Sequence, residues 1–180
     1  LNKLDAVLNS DNLSYFESLS SYYNKSSYGN LSLNIDIADV VIPSFSSSVY
    51  LSKADDYAGE TFYLIKEIYT SITINGTKLS SLVSNYDYDK DNKIDGIYFI
   101  INEFDMSKVN VSRFWAYTYW YIDTNCGYFA PNIPLATFCS LAGAFNYRDS
   151  YDGNDAHTLI HETGHMLGAE DYYSYDGESR

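Results

Sequence analysis

The run His161-Glu162-Thr163-Gly164-His165-Met166-Leu167-Gly168 leaves the chain little choice of local fold. Histidines four residues apart fall one above the other on a helix, so the pair marks one face of a helix over roughly Asp155 to Leu167. Gly168 stands where that helix must stop, because glycine enters the left-handed region without the steric cost other residues meet.

The same spacing carries chemistry. His161 and His165 can present neutral imidazole nitrogens to one zinc ion at about 2.0–2.1 Å. Glu162 lies on the adjoining stripe, placed to hold a water polarised by that zinc and to take its proton as it attacks a peptide carbonyl. The same carboxyl would then hand the proton to the leaving amine. Gly168 lets the following residues fold back, which brings in Asp171 as third ligand and leaves one position open. Glu170 carries the same chemistry one residue earlier, and Glu178 is a further carboxylate; both stand as alternatives. His157 shares the helix face of His161, but three histidines down one helix cannot easily surround one ion tetrahedrally. It reads as a supporting or structural residue. Met166 and Leu167 read as core contacts. The competing readings are a buried helix whose histidines are held by hydrogen bonds, and a zinc-binding domain that does not turn over.

Elsewhere the periodicity alternates between helix and strand. Residues Asp11 to Asn24 read as a helix capped by Asp11 or Asn12, with Leu13, Phe16, Leu19, Tyr22 and Tyr23 near helical spacing. Leu31 to Ile37 alternates apolar and polar, the pattern of a half-buried strand. Ala54 to Ile72 reads as a second helix with Tyr57, Phe62, Ile65, Ile68 and Tyr69 inward. The continuous apolar run Ile97 to Ile101 suggests a strand covered on both faces. Arg113 to Ile122 and Leu135 to Leu141 are further strands. The stretch Leu135 to Ser140 precedes the histidine helix and is expected at a cleft rim, where an extended peptide could add as a strand. The fold class is therefore α+β: a twisted mixed sheet backed by helices, with the histidine helix near the C-terminus.

Composition narrows the partners. The chain has 180 residues, enough for one domain, 1–180, with a substantial core. Its net charge of −13 argues against nucleic acid and anionic membrane as partners. No apolar run approaches the ~20 residues that span a bilayer. The chain begins Leu1-Asn2-Lys3, read as a processed start from which an export signal has been removed. Cys126 and Cys139 could close a disulfide outside the cell or remain buried thiols inside it. Several N-x-S/T triplets, among them Asn24-Lys25-Ser26 and Asn75-Gly76-Thr77, matter only in a glycosylating host.

An acidic loop precedes the run at Ile97. Asp87, Asp89, Asp91 and Asp95 are spaced like oxygen ligands of a calcium loop, with the carbonyl of Lys93 as a fifth. Asn92 and Tyr98 occupy the positions where an EF-hand has its glycine and bidentate glutamate, and a strand follows in place of a helix. A calcium-stabilised turn competes with a solvated turn whose aspartates cap local backbone groups.

The set His161, Glu162, His165, Gly168 and Asp171 resembles the H-E-x-x-H-x-x-G-x-x-D signature of the immune inhibitor A family of secreted bacterial metallopeptidases. Two upstream segments are similar to that family as well: Tyr22-Tyr23 followed by Ser26-Ser27-Tyr28-Gly29-Asn30-Leu31, and the acidic loop Asp87 to Gly96. The resemblance implies a metzincin-like catalytic domain, the upper subdomain of a zincin, from a secreted endopeptidase that cleaves extracellular proteins with zinc. Metzincins carry a methionine turn beneath the metal, and neither Met106 nor Met166 is placed for it. The chain ends nine residues after Asp171, so the domain is expected to continue beyond Arg180. A zinc-binding but inactive domain serving in surface binding or adhesion is the alternative.

Overall fold

The computed structural model describes residues 2–10, 17–44, 49, 57–101, 116–120, 133–142 and 156–171. In chain order these form α1 (Asn2–Asn9), α2 (Leu19–Ser26), α3 (Tyr57–Ile68), β1 (Thr73–Ile74), β2 (Thr77–Lys78), β3 (Ile97–Ile101), β4 (Tyr117–Trp120), β5 (Thr137–Ala142) and α4 (His157–Met166). The class is mixed α and β, as the alternating periodicities predict. None of the described helices is long and apolar enough to cross a membrane.

The main sheet has the order β3-β5-β4, with β5 parallel to β3 and antiparallel to β4. Its strands alternate between two apolar layers, as a period of two requires. On one face Ile97, Phe99, Ile101, Tyr117, Tyr119 and Phe138 meet Leu64, Ile65 and Ile68 of α3. On the other, Tyr98, Ile100, Cys139 and Leu141 meet Val7 and Leu8 of α1, Leu19 of α2, and Leu159 of α4. The run Ile97–Ile101 is thus covered on both sides, which is why it reads as continuously apolar. Phe138 anchors the first layer: fully buried, it has Phe99, Tyr117 and Tyr119 with ring centroids 6.0–6.1 Å away.

Several expectations change on this frame. The N-terminal helix α1 was not visible as a pattern. Its neighbour α2 begins at Leu19, where Ser18 is the N-cap and its side chain accepts from the Ser21 N–H at 3.1 Å. Asp11 and Asn12, the expected caps, lie outside the described residues. The second predicted helix ends at Ile68 and passes through a 3₁₀ turn, Tyr69–Ser71. There follows an unexpected hairpin, β1 and β2, joined by Asn75 (φ 49°) and Gly76 (φ 76°). Positive φ at both central residues is what a two-residue hairpin turn demands, and Asn-Gly is its strongest sequence sign.

Leu31 to Ile37 keeps its alternating burial but pairs with no strand among the described residues. Helix side chains bond its carbonyls instead: Ser20 Oγ donates to Leu33 O and Asn9 Nδ2 to Ile35 O, each at 3.1 Å. The extended chain is held by polar side chains of α1 and α2 in place of a ladder.

The expected rim strand is also corrected. Residues 137–142 form the central strand of the sheet, and 138–140 are paired on both sides, so no peptide can add there. Cys139 is a fully buried thiol, not half of a disulfide; Cys126 lies outside the described residues. Burial pushes the Cys139 thiol pKa up, and the Glu162 charge pushes it the same way, so it stays protonated.

Phe138→Ala is expected to cost about 3–5 kcal/mol in urea unfolding with an unchanged slope. A loss below about 1 kcal/mol would show that the sheet is not organised around that ring.

Candidate metal centre

Helix α4 buries Leu159, Glu162 and Thr163 against the sheet, with Met166 partly buried on the same side. These positions recur at helical spacing, so two polar residues occupy an otherwise apolar stripe. His161 and His165 lie on the adjoining stripe, four apart, with Nε2 atoms 3.2 Å from each other. Their rings stand nearly perpendicular, 84° apart. Leu167, expected in the core, is exposed: it is the C-cap residue, already past the buried stripe.

The helix ends in a Schellman turn. Gly168 takes φ +93°, its N–H donates to His165 O at 2.8 Å, and the Ala169 N–H donates to Gly164 O at 2.9 Å. The reversal has two consequences for the site. It carries the Ala169 carbonyl to 2.8 Å from His165 Nδ1. A carbonyl accepts only, so Nδ1 bears the proton and the lone pair of His165 sits on Nε2. It also brings Asp171 back over the helix, with Oδ1 3.4 Å from His161 Nε2 and 3.2 Å from His165 Nε2.

Three donor atoms therefore form a triangle with sides of 3.2, 3.2 and 3.4 Å. A tetrahedron with bonds of 2.0–2.1 Å has edges of about 3.3–3.4 Å, so the triangle fits one face of a zinc coordination sphere. The donor set of two imidazole nitrogens and a carboxylate oxygen suits that ion. A single proton can bridge only two of the three atoms, whereas a cation faces all three. Glu170, the nearest alternative ligand, is exposed, and Glu178 lies outside the described residues. His157 is exposed at the start of α4.

Glu162 is only 4% exposed. Its Oε2 accepts from Thr118 Oγ1 at 3.0 Å, and the same hydroxyl is 2.8 Å from the Glu162 main-chain oxygen. Burial raises the carboxyl pKa; the Thr118 hydroxyl and then His161 and His165 pull it down, while Asp171 pushes it up. The net direction is upward.

Thr163 is the other buried polar residue of the stripe. Its Oγ1 is 2.6 Å from Leu159 O and 2.7 Å from Tyr98 OH. Thr163 has one proton and the carbonyl can only accept it, so Tyr98 must be the donor to Thr163. On the α2 side Tyr23 OH donates to Ile160 O at 2.7 Å. Burial pushes the Tyr98 and Tyr23 hydroxyls up to about 12, so both remain donors. The sequence marks Tyr23 as a helix-face residue and Tyr98 as the last position of the acidic loop, neither as a support of α4, and it does not mark Thr118. The one available sign was the alternation in Tyr117-Thr118-Tyr119, which sets Thr118 on the face opposite its aromatic neighbours.

The acidic loop divides. Carboxylate oxygens of Asp87, Asp89 and Asp95 lie within 4.8 Å of one another. Asp91 turns to Lys93 instead, 3.5 Å from its Nζ and 2.8 Å from its N–H. Backbone donors already engage the three: Asn92 N–H reaches Asp87, Asp91 N–H reaches Asp87 and Asp89, and Tyr88 N–H reaches Asp95. Lys90 and Asn92 take φ of 65° and 66° to make the turn. Burial raises the Asp95 pKa, the Tyr88 N–H opposes this, and the Asp89, Asp87 and Asp91 charges add to the rise.

No protein-family model, curated protein or solved structure matches the chain.

At Gly168 a Cβ would meet no atom within 4 Å, so any cost of substitution lies in the backbone alone. Gly168→Ala is expected to cost about 1–2 kcal/mol in urea unfolding. An unchanged midpoint would mean that the turn at Gly168 is not the conformation in solution.

Proposed function

We propose that this chain is the catalytic domain of a zinc-dependent endopeptidase, secreted by a bacterium and related to the immune inhibitor A peptidases. Its sheet and α4 would then be the upper part of a zincin-type domain, and its substrates the peptide bonds of extracellular proteins. The observation that carries this reading is one pairing: a triangle of zinc-type donors beside a buried carboxyl on the same helix turn.

His161, His165 and Asp171 would hold the ion. When bound, zinc supplies a Lewis acid and a water acidified towards pH 7. The chain's own part falls to Glu162. Its carboxylate accepts the proton of the attacking water and returns it to the leaving amine. The Ala169 carbonyl fixes the tautomer that aims His165 Nε2 at the centre of the triangle.

For the acidic loop we propose a calcium ion held by Asp87, Asp89 and Asp95, a structural site apart from the chemistry. The three neighbouring carboxylates support it; the backbone donors that engage them support the simpler capped turn.

Glu162→Gln is expected to lower cleavage of denatured casein by about 10²–10⁴-fold while retaining one zinc per chain. Asp171→Ala should lose the zinc and Glu170→Ala should keep it. A Glu162→Gln protein that still cleaves would remove Glu162 from its role. Zinc bound at full stoichiometry without any cleavage by the unsubstituted protein would favour the non-catalytic surface-binding reading.

With calcium affinity near ~1 mM, 10 mM calcium stabilises by about 1.4 kcal/mol, a melting shift of about 3–5 °C for a domain of this size. No shift at that concentration would leave the loop as a capped turn.

A further inference from the structure

We infer that Thr118 is a positioning residue for Glu162, holding its carboxylate in one rotamer through the hydroxyl. The inference rests on the reading of Glu162 as the proton-transferring group. The geometry behind it is a clamp. Thr118 Oγ1 stands 3.0 Å from Glu162 Oε2 and 2.8 Å from the main-chain oxygen of the same residue, its single proton shared between the two acceptors in a three-centred bond. A glutamate has three rotatable side-chain bonds, and contact at both its ends leaves those bonds little freedom. With Oε2 engaged by the hydroxyl, Oε1 remains for proton transfer.

The clamp is built on a rigid element. Thr118 lies in β4 and pairs with Cys139 of the central strand, whose other neighbour in register is Tyr98. A β-branched side chain keeps few χ1 rotamers, so the hydroxyl is itself well aimed. Tyr117 and Tyr119 pack into the opposite layer and pin the strand from behind. Groups that orient a reacting residue from such positions act through geometry and not through contact with substrate.

Thr118→Val keeps the shape and removes the hydroxyl; Thr118→Ser keeps the hydroxyl. Val at this position is expected to lower kcat for a peptide substrate by about 10–100-fold with KM nearly unchanged, and Ser to restore kcat to within a few-fold. Zinc content should stay close to that of the unsubstituted protein, while the melting temperature falls by a few degrees with Val, which leaves the buried Glu162 oxygens unbonded, and by less with Ser. Crystal structures of the two variants supply a readout independent of turnover: several Glu162 rotamers with Val, one with Ser. If Val does not fold, Thr118→Ala carries the same comparison. An unchanged kcat in the Val protein overturns the inference, as does a rise in KM alone, or a Ser protein as impaired as Val. If the unsubstituted protein cleaves nothing, the peptidase reading fails. The rotamers then still decide the role of Thr118, and a single ordered Glu162 in the Val crystal overturns it.

Discussion

Everything at the centre hangs on one row of side chains running across the sheet. Tyr98 of β3, Cys139 of β5 and Thr118 of β4 stand in register beneath α4. The outer two are hydroxyls, and they meet the two polar residues that α4 buries: Tyr98 bonds Thr163 and Thr118 bonds Glu162. An unbonded buried polar group costs about 1–3 kcal/mol, so without these partners the helix would have reason to roll Glu162 out to water. With them, the carboxyl stays inside and the histidines are carried to the adjoining stripe. The orientation of α4 about its own axis is thus set by hydrogen bonds as much as by the apolar contacts of Leu159.

Periodicity captured the parts of the fold in which burial follows the backbone repeat. The histidine helix and its stop at Gly168 were legible, as were the two covered faces of Ile97–Ile101 and the burial of Ile65, Ile68 and Tyr69, while the side chains of Tyr57 and Phe62 lie outside the description. It failed where the question was which group satisfies the backbone. Leu31 to Ile37 has the burial of a strand, yet Ser20 and Asn9 take carbonyls that a neighbouring strand would otherwise bond. Residues 137–142 looked like a rim because their place in the chain says nothing of their place in the sheet. The Asn75-Gly76 hairpin was legible by its turn dipeptide, but the helical pattern running up to Ile72 masked it.

The site divides along the same line. His161, His165 and Asp171 were legible because helix spacing and a single turn bring them together; only short-range geometry is involved. The supports of Glu162 were not, because they need the strand register. In the acidic loop, sequence spacing treated four aspartates alike, whereas the fold turns Asp91 towards Lys93 and gathers the other three.

This contrast in range reaches beyond legibility. The donor triangle is closed within the eleven residues from His161 to Asp171 by the Schellman turn. The hold on the Glu162 carboxyl spans 44 residues to Thr118, and the hold on its neighbour Thr163 spans 65 to Tyr98. Contacts of long sequence separation form late in folding and break with the cooperative unit that contains them. A sub-global opening that frees β4 from β5 would release the carboxyl while the helix end keeps its three donors together. The donor triangle is thus local to one helix and its turn, whereas the seat of the carboxyl belongs to the sheet.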